Sequence, residues 1–454
     1  MSNFYLSIAS ALYDSITDGT HDSPKTVSIG KKLITSKHIK GGEIDFATAN
    51  LISTEDFEFI NKRSKVDKWD VIISMIGEYC GFCYIERNDV IDYAIKNVGL
   101  FKTGIELEAK WLYYYLNSQA GKQYLKKIRL GSSQPYLSLG GLRSLPILNC
   151  DAHLKKSIVK ILSSLDSKIE LNNRINAELE AMAKTIYDYW FVQFDFPTPS
   201  PSGRAGVGLP YKSSGGKMVW NEDLKREIPE GWEVHSLSNL CSLISRGISP
   251  KYLEMHGVCV LNQKCIRDNK IDFSFSRRHD YKAKDATKRQ IKKYDLLVNS
   301  TGVGTLGRVA IVKWIPEDFI TVDSHVTIVR ANEKLIDQLY FVFSLVHKQK
   351  EIEGFSLGST GQVELSRSQL DSIKVIVPNT KLQNTFRSFY APTIQKMAIC
   401  EIENQQLSNL RDWLLPMLMN GQVTVGKVYE QMEGGLGMVA EGDVECKKDL
   451  KEKV

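Results

Sequence analysis

One segment of the chain, residues 154–190, keeps an uninterrupted heptad pattern of apolar residues, and few folds accommodate such a pattern. At alternating steps of four and three, the positions are Ile158, Leu162, Leu165, Ile169, Asn172, Asn176, Leu179, Ala183, Ile186 and Trp190. This spacing is typical of a coiled-coil helix. Because a row of Leu and Ile on an isolated helix would lie in water, the pattern predicts a second helix that covers it.

The chain itself contains a matching segment, 382–418, which begins 228 residues later (382 − 154 = 228). Asn176 and Asn404 occupy matching positions, and a buried Asn in an apolar seam fixes register at a cost in stability. We therefore predict that the two helices pair antiparallel. The predicted seam contains Leu165, Ile169, Asn176, Leu179, Met397, Asn404 and Leu407. The alternative is two ordinary amphipathic helices that lie in separate cores.

A similar offset recurs outside the helices, which indicates that the whole chain is an internal duplication. KHIKGGEIDF at 37–46 matches KCIRDNKIDF at 264–273, and Asp70 and Gly77 match Asp295 and Gly302. Gln134 matches Gln362. Each half is a globular portion of about 150 residues, the size of one domain, followed by a long helix.

The predicted fold class is α+β, because short β-branched runs such as VIISMIG and HVTIVRA alternate with helical stretches. We expect two homologous globular α/β domains separated by a long antiparallel two-helix coiled coil, with a pseudo-two-fold internal repeat. The expected divisions are domain 1 at 1–150, helix 1 at 151–195, a Pro/Gly/Ser-rich surface linker at 196–230, domain 2 at 231–378, helix 2 at 379–425 and a flexible tail at 426–454. At ~1.5 Å per residue the first helix is roughly 55 Å long, which exceeds one turn of duplex DNA.

The net charge of +6 is modest, but the basic residues gather at comparable places in the two halves. The clusters are Lys62, Arg63, Lys65 and Lys68, and then Arg277, Arg278, Lys282, Lys284, Lys288, Arg289, Lys292 and Lys293. Such clusters are usually solvated faces, but two equivalent ones on a repeated scaffold favour a protein that follows phosphates. The chain has no stretch of 18 apolar residues and no basic, apolar leader, so we expect a cytoplasmic protein without a membrane span.

No catalytic or metal-binding constellation is found in the sequence. Cys80 and Cys83 form a CxxC without further ligands at metal spacing, and we interpret them as packing thiols. Gly302, Gly304 and Gly307 spell GxGxxG, but the following RVAIVKW predicts a strand, whereas a dinucleotide site needs a helix there. We therefore predict a glycine-rich strand-to-strand turn, with no metal and no catalytic residue.

Taken together, these segments resemble the specificity subunits of type I restriction-modification systems. The resemblance lies in the duplication, the helix KIELNNRINAELEAMAKTIYDYWFVQFDFP, the linker YKSSGGKMVWNEDLKREIPEGW and the closing LSNLRDWLLPMLMNGQV. GVGTLGRVAIV and GSTGQVELSRSQL in the second domain are also similar to family elements.

The resemblance implies that each domain is a target-recognition domain that reads one half of a bipartite double-stranded DNA sequence. It also implies that the coiled coil sets the unread spacer and docks two modification (methyltransferase) subunits, which restriction (translocase and nuclease) subunits join. S-adenosylmethionine, ATP and Mg²⁺ would then bind partner subunits, and this chain would hold no cofactor. Two alternatives remain: a coiled-coil adaptor that binds only protein, and a self-contained DNA methyltransferase or nuclease.

Phosphates are contacted mainly by Lys and Arg, whereas base edges are read by Asn, Gln, Ser, Thr and Arg on loops. Our candidate DNA-binding residues in the first domain are Lys37, Lys40, Ser133 and Gln134. In the second domain they are Arg246, Lys264, Arg267, Ser300, Thr301 and Gln362.

Overall fold

The same order of strands and helices occurs twice along the chain, as the duplication predicted. The structure is a computed structural model that describes residues 4–198, 208–302, 304–355, 364–419 and 421. It divides into two compact units, unit 1 (Met1–Ile169 with Gln405–Val454) and unit 2 (Glu170–Asn404). Each unit contains one mixed α/β domain and part of each long helix.

The strands of unit 1 are β1 (Phe4–Ile8), β2 (Ser15–Asp18), β3 (Lys31–Thr35), β4 (Ile39–Lys40), β5 (Glu43–Ile44), β6 (Asn50–Ile52), β7 (Val71–Ser74), β8 (Cys83–Ile85), β9 (Tyr93–Lys96), β10 (Val98–Lys102) and β11 (Pro146–Cys150). Its helices are α1 (Ala9–Leu12), α2 (Thr54–Ser64), α3 (Glu106–Asn117), α4 (Gln119–Ile128) and α5 (Leu139–Arg143). The long helix α6 (Ala152–Tyr187) begins in this unit.

The strands of unit 2 are β12 (Met218–Asn221), β13 (Arg226–Pro229), β14 (Glu233–Ser236), β15 (Cys241–Arg246), β16 (Tyr252–Leu253), β17 (Val258–Leu261), β18 (Ile266–Arg267), β19 (Lys270–Ile271), β20 (Arg277–His279), β21 (Leu296–Asn299), β22 (Val309–Ile311), β23 (Ile320–Val322), β24 (Val326–Ala331) and β25 (Lys374–Val377). Its helices are α7 (Leu237–Leu240), α8 (Gln338–His347), α9 (Gln349–Gly354) and α10 (Arg367–Asp371). The second long helix, α11 (Thr380–Met419), begins in this unit.

The sheets of the two units have equivalent topology. An antiparallel sheet has the order β2-β10-β7-β8 in unit 1 and β15-β24-β21-β22 in unit 2. A second sheet contains one parallel pair in each unit, β3 with β9 and β17 with β23. The first and last strands of each domain also pair, β1 with β11 and β14 with β25. The predicted α+β class and internal repeat are therefore confirmed.

The central strands β7 and β21 form because their residues can be buried on both faces. All four residues of VIIS in β7 and of LLVN in β21 are buried. Short continuous apolar runs of this kind are typical of a strand covered on both sides. Because the residues of each central strand are buried in the core, its carboxyl end holds the loop that follows at a defined position.

Within each unit, the two long helices pack side by side in opposite directions. In unit 1 the Arg411 Nη1 atom donates to Asp166 Oδ1 at 2.9 Å, beside buried Leu165 and Leu414. In unit 2, Asn172 Nδ2 donates to Asn404 Oδ1 at 2.9 Å, and Asn176 Nδ2 lies 3.4 Å from the Met397 carbonyl oxygen. As residue numbers increase along α6, those of the contacting residues on α11 decrease. The two helices are therefore antiparallel, as predicted.

The matching positions Asn176 and Asn404 do not face each other, because antiparallel pairing places Asn404 opposite Asn172 and Asn173. Of the predicted seam residues, three are buried and four are half-buried. The buried ones are Leu165, Asn176 and Met397, and the half-buried ones are Ile169, Leu179, Asn404 and Leu407.

Replacing Asn176 with leucine is expected to raise the free energy of unfolding by about 1 kcal/mol. The side chain is 1% exposed, its amide makes one long hydrogen bond, and its Oδ1 atom has no partner among the described residues. An unsatisfied buried polar atom costs about 1–3 kcal/mol, and leucine removes that cost. Thermal unfolding would measure the change, with Asn409→Leu at an exposed position of α11 as the neutral control. A lower Tm for Asn176→Leu would contradict this account.

A buried lysine connects the domain of unit 2 to its helix segments. The sequence analysis did not predict this contact. Lys313, just after β22, donates to Glu401 on α11 at 2.6 Å and lies 3.9 Å from Glu180 on α6. In unit 1, Lys155 on α6 makes a comparable contact of 2.7 Å with Glu108 on α3. Each domain is thus fixed to the helix segments of its own unit by a charge-assisted hydrogen bond.

The segment 196–230 is not wholly the surface linker that its composition predicted. It contains the antiparallel pair β12-β13, and Phe196 and Ile228 are buried in the core of unit 2. Phe196 stacks on Tyr211 and Trp232 with ring centroids 4.6 Å and 5.2 Å apart. This corrects the prediction, because paired aromatic rings bury the segment despite its Pro and Gly content. Residues 199–207 and the predicted tail 426–454 lie outside the described residues.

Candidate nucleic-acid interface

Several predicted DNA-binding residues of unit 2 come together at the carboxyl end of the central strand β21. Thr301 follows this strand, and its Oγ1 atom lies 2.7 Å from His325 Nδ1 and 3.4 Å from Gln263 Oε1. Gln263 begins the short 3₁₀ helix Gln263–Cys265 that carries exposed Lys264. Three segments that are distant in sequence therefore meet at one sheet edge.

Unit 1 has the same arrangement at the end of β7. The Ser36 Oγ atom accepts hydrogen bonds from the amides of Met75 and Ile76, each at 3.2 Å, and this fixes the 3₁₀ helix Ser36–His38 that carries Lys37. Ile76 also pairs with Tyr136, at the end of the loop that contains Ser133 and Gln134. In unit 2 the equivalent bridge joins Thr301 to Glu364.

Lys40 and Arg267 each precede a two-residue hairpin turn. In unit 1 the turn joins β4 to β5 through Gly41 and Gly42, with φ of 58° and 86°. In unit 2 it joins β18 to β19 through Asp268 and Asn269, with φ of 49° and 57°. Positive φ at both central residues is characteristic of a type I′ turn, which glycine and asparagine tolerate. The turn holds the basic residue before it at a fixed position.

The remaining predicted residues differ in how accessible they are. Lys37, Ser133, Gln134, Lys264 and Arg267 are exposed, whereas Lys40 is half-buried and lies 5.4 Å from the centre of the Tyr79 ring.

Ser300 and Arg246 are engaged within the protein. Ser300 is 0% exposed, and its hydroxyl pairs with that of Thr327 at 2.5 Å, so it does not reach the surface. Arg246 forms an ion pair with Glu364 and donates to the Leu365 carbonyl oxygen at 2.8 Å. The prediction for Ser300 is therefore wrong. Arg246 holds the segment that contains Glu364 and Leu365 against strand β15. Gln362 lies outside the described residues.

The two predicted basic clusters are not equivalent in charge. In unit 1, Arg63, Lys65 and Lys68 pair with Asp18, Asp67 and Asp89 at 2.8–3.0 Å, which offsets much of their charge. In unit 2, Lys282, Lys284 and Lys288 are exposed and form no ion pair within the described part of the chain. The larger uncompensated positive charge therefore lies in unit 2.

One buried aspartate in each unit pairs with a basic side chain of the neighbouring strand. Asp70 and Asp295, matched in the duplication, are buried at the start of the central strands, and burial raises the pKa of each carboxyl. Lys102 donates to Asp70 at 2.6 Å, and Arg330 donates to Asp295 from Nε at 2.7 Å and from Nη2 at 2.6 Å. These pairs join the central strand to its neighbour and do not reach a substrate surface.

The CxxC cysteines and the glycine-rich segment occupy structural positions. Burial raises the pKa of the Cys83 thiol to about 12, and Cys80 is also buried, as expected for packing thiols. Among the residues that the structure covers, no cluster of His, Cys, Asp and Glu could hold a metal ion. The GxGxxG segment joins the antiparallel strands β21 and β22, which confirms a strand-to-strand turn, although Val303 itself is not described.

Gln263 and His325 were missed by the sequence analysis. They occupy the positions of Ser36 and Asn97 in the duplication, and Ser36 and Asn97 meet through a 2.8 Å hydrogen bond at the matching edge of unit 1. No signal in the sequence identifies them, because Ser36 and Asn97 were not candidates either. Within the described helices, no stretch is both long enough and apolar enough to cross a membrane.

Comparisons with known proteins agree with this architecture. The family model of the type I restriction modification DNA specificity domain matches residues 26–181 and 229–409. The MjaIX type I restriction enzyme specificity subunit of Methanocaldococcus jannaschii is 25% identical over 361 residues, which cover 76% of this chain and 76% of that protein. The HindI specificity subunit of Haemophilus influenzae is 24% identical over 408 residues, covering 80% of this chain and 88% of that protein.

A solved structure has the same fold. The S subunit of a type I restriction-modification system from M. genitalium aligns with a TM-score of 0.53 and 16% identity, covering 91% of this chain and 96% of that one. The matched family regions contain both central strands, both 3₁₀ helices and most of both long helices. The chain belongs to the family of type I restriction-modification specificity subunits, the components that give these systems their DNA sequence specificity.

Proposed function

We propose that each unit binds one half of a two-part DNA sequence through the edge at the carboxyl end of its central strand. The observation that carries this proposal is the repeated convergence of Lys37, Ser133 and Gln134 beside β7, and of Lys264 and Thr301 beside β21. Exposed lysines suit phosphates, and the exposed Ser133 and Gln134 and the half-buried Thr301 carry hydroxyl and amide groups that suit base edges. Lys40 and Arg267, which precede the type I′ turns, would add further contacts with DNA phosphates.

We further propose that the paired helices set the number of unread base pairs and dock two modification (methyltransferase) subunits, to which restriction subunits attach. Helices α6 and α11 each begin in one unit and end in the other, which supports a role as a spacer. S-adenosylmethionine, ATP and Mg²⁺ would bind those partners, and this chain would contribute recognition without catalysis. The GxGxxG turn between two strands supports this division of labour, because it opens no helix toward a nucleotide.

The proposal is tested by selecting random duplexes with this chain in complex with the modification subunits of its own system. We expect a two-part motif with an unread spacer of constant length. Because Gln134 and Thr301 lie in different units, Gln134→Ala should relax one half of the motif and Thr301→Ala the other half. Loss of a base contact is worth about 1–3 kcal/mol, so each change should weaken binding by roughly fivefold or more.

The alternatives make different forecasts for the same samples. A protein-only adaptor would enrich no motif, and that result would overturn the proposed function. A self-contained enzyme would cleave or methylate DNA without partners, so the purified chain with Mg²⁺ and S-adenosylmethionine is the second assay. Relaxation of both halves by either single variant would contradict the assignment of one half to each unit.

A further inference from the structure

The candidate interface of unit 1 contains a row of partly exposed apolar side chains. Leu130 and Tyr136 are directly opposed, and their backbones exchange two hydrogen bonds of 2.8 Å, while Ile76 pairs with Tyr136 on its other side. Directly opposed residues on neighbouring strands place their side chains on the same face. Leu130 is 46% exposed and Tyr136 is 42% exposed. We call Ile76, Leu130 and Tyr136 the apolar ridge.

Polar and basic groups flank the apolar ridge on two sides. Lys37 is exposed on the 3₁₀ helix that Ser36 ties to the Ile76 amide. Ser133 and Gln134 are exposed in the loop that joins Leu130 to Tyr136. In the major groove, phosphates line the rim and the C5-methyl group of thymine is the apolar feature of the base edges. The basic and polar side chains beside the apolar ridge suit the phosphates, and the ridge itself suits the methyl group.

Two positions of the apolar ridge have described counterparts in unit 2, and both are polar, whereas the counterpart of Leu130 lies outside the described residues. Thr301 and Glu364 form the bridge that corresponds to Ile76 and Tyr136. The Thr301 hydroxyl lies 2.7 Å from His325 Nδ1, and both Glu364 and His325 are exposed. At this bridge, unit 2 therefore has a hydroxyl and a carboxylate where unit 1 has the side chain of isoleucine and the aromatic ring of tyrosine.

We propose that the apolar ridge reads thymine through its 5-methyl group. The half-site of unit 1 then contains at least one thymine identified by apolar contact, whereas unit 2 identifies its bases by hydrogen bonds. This inference rests on the proposed function and adds to it the chemical difference between the two half-sites.

The test uses the complex with modification subunits and the two-part motif selected as described above. Thymines are replaced by 2′-deoxyuridine in one half-site at a time, a change that removes only the methyl groups. Burial of one methyl-sized group is worth about 0.8 kcal/mol, which corresponds to about a fourfold change in affinity. We expect about fourfold weaker binding per contacted methyl group in one half-site, and unchanged binding for the other.

The variant Leu130→Thr/Tyr136→Thr identifies the surface responsible. It should bind the thymine and uracil versions of the sensitive half-site equally, since threonine keeps the strand geometry and shortens the ridge. Leu6→Thr is the matched control, because Leu6 is 54% exposed on β1 of the same unit, and it should keep the difference.

Three results would overturn the inference while leaving the proposed function intact. They are equal binding of uracil and thymine in both half-sites, persistence of the difference in the double variant, and failure of the double variant to assemble with its partner subunits without DNA. The last result would make the ridge a protein contact. If no two-part motif is selected at all, the proposed function fails, and this inference fails with it.

Discussion

Replacing Arg330 with methionine is expected to lower the free energy of unfolding of unit 2 by about 3–5 kcal/mol, the usual cost of leaving a buried charge without its partner. The Asp295 side chain is 1% exposed and accepts two hydrogen bonds from the Arg330 guanidinium, at 2.6 Å and 2.7 Å. Methionine fills similar space but leaves this carboxylate buried without a counter-ion. Thermal unfolding should show a fall in Tm of roughly 6–20 °C.

The pH dependence of the Arg330→Met variant provides an independent check. Burial raises the pKa of Asp295 above its value in an unfolded chain, so the folded state takes up the proton first as the pH falls. Folding stability contributed by such a group rises toward acidic pH. The variant should therefore lose less stability relative to the wild-type chain at acidic pH than at neutral pH, and Arg330→Met/Asp295→Asn should recover part of the loss.

Arg367→Met is the surface control for the arginine substitution. Arg367 is 74% exposed and lies 3.8 Å from Asp371, and pairs in contact with solvent contribute about 0–1 kcal/mol. If Arg330→Met costs no more than this control, then the Asp295 pair does not stabilise the junction between β21 and β24.

The duplicated aspartates show how far the sequence predicts the fold. The match of Asp70 with Asp295 indicated a shared role, and both carboxylates lie at the start of central strands. Their partners, Lys102 and Arg330, stand on the neighbouring strands β10 and β24, more than 30 residues away, and no local pattern identifies that pairing. Heptads and repeats are regular along the chain, so they were predictable, whereas contacts between distant strands were not.

The candidate interface was predictable to a similar degree. Lys37 and Lys264 were found because the two halves match there, and the structure places both on equivalent exposed 3₁₀ helices. Ser300 and Arg246 met the same compositional criteria, but one is buried against Thr327 and the other is paired with Glu364. Residue type alone does not show whether a polar group is already satisfied within the protein.

The linker prediction failed for a related reason. The Pro and Gly content of 196–230 indicated a surface segment, whereas MVWN and REIP within it pair as the antiparallel strands β12 and β13. Its aromatic residue Phe196 then packs between Tyr211 and Trp232. A few well-packed rings outweigh the average composition of a segment of this length.

The electrostatic part of DNA binding should depend on exposed basic residues at the two strand edges. Lys37 and Lys264 form no ion pair within the described part of the chain, and Arg267 lies 3.8 Å from Asp268 in a pair that is largely solvated. Each phosphate neutralised on duplex DNA contributes about 0.9 to the slope of log K against log salt concentration. These three residues therefore carry a measurable share of the salt dependence.

Replacing Lys37, Lys264 and Arg267 together with alanine is expected to reduce that slope by about 2.7 and to weaken DNA binding by roughly a hundredfold near 0.15 M salt. Binding of the assembled complex to its selected duplex, titrated over a range of salt concentrations, measures both quantities. Exposed Lys25, Lys212 and Lys350, which lie outside both the long helices and the strand edges, provide a triple-alanine control that removes the same charge. A slope lowered equally by both triple variants would mean that net charge, and not the position of Lys37, Lys264 and Arg267, governs affinity. An unchanged slope in the first variant would exclude these edges from contact with the phosphates.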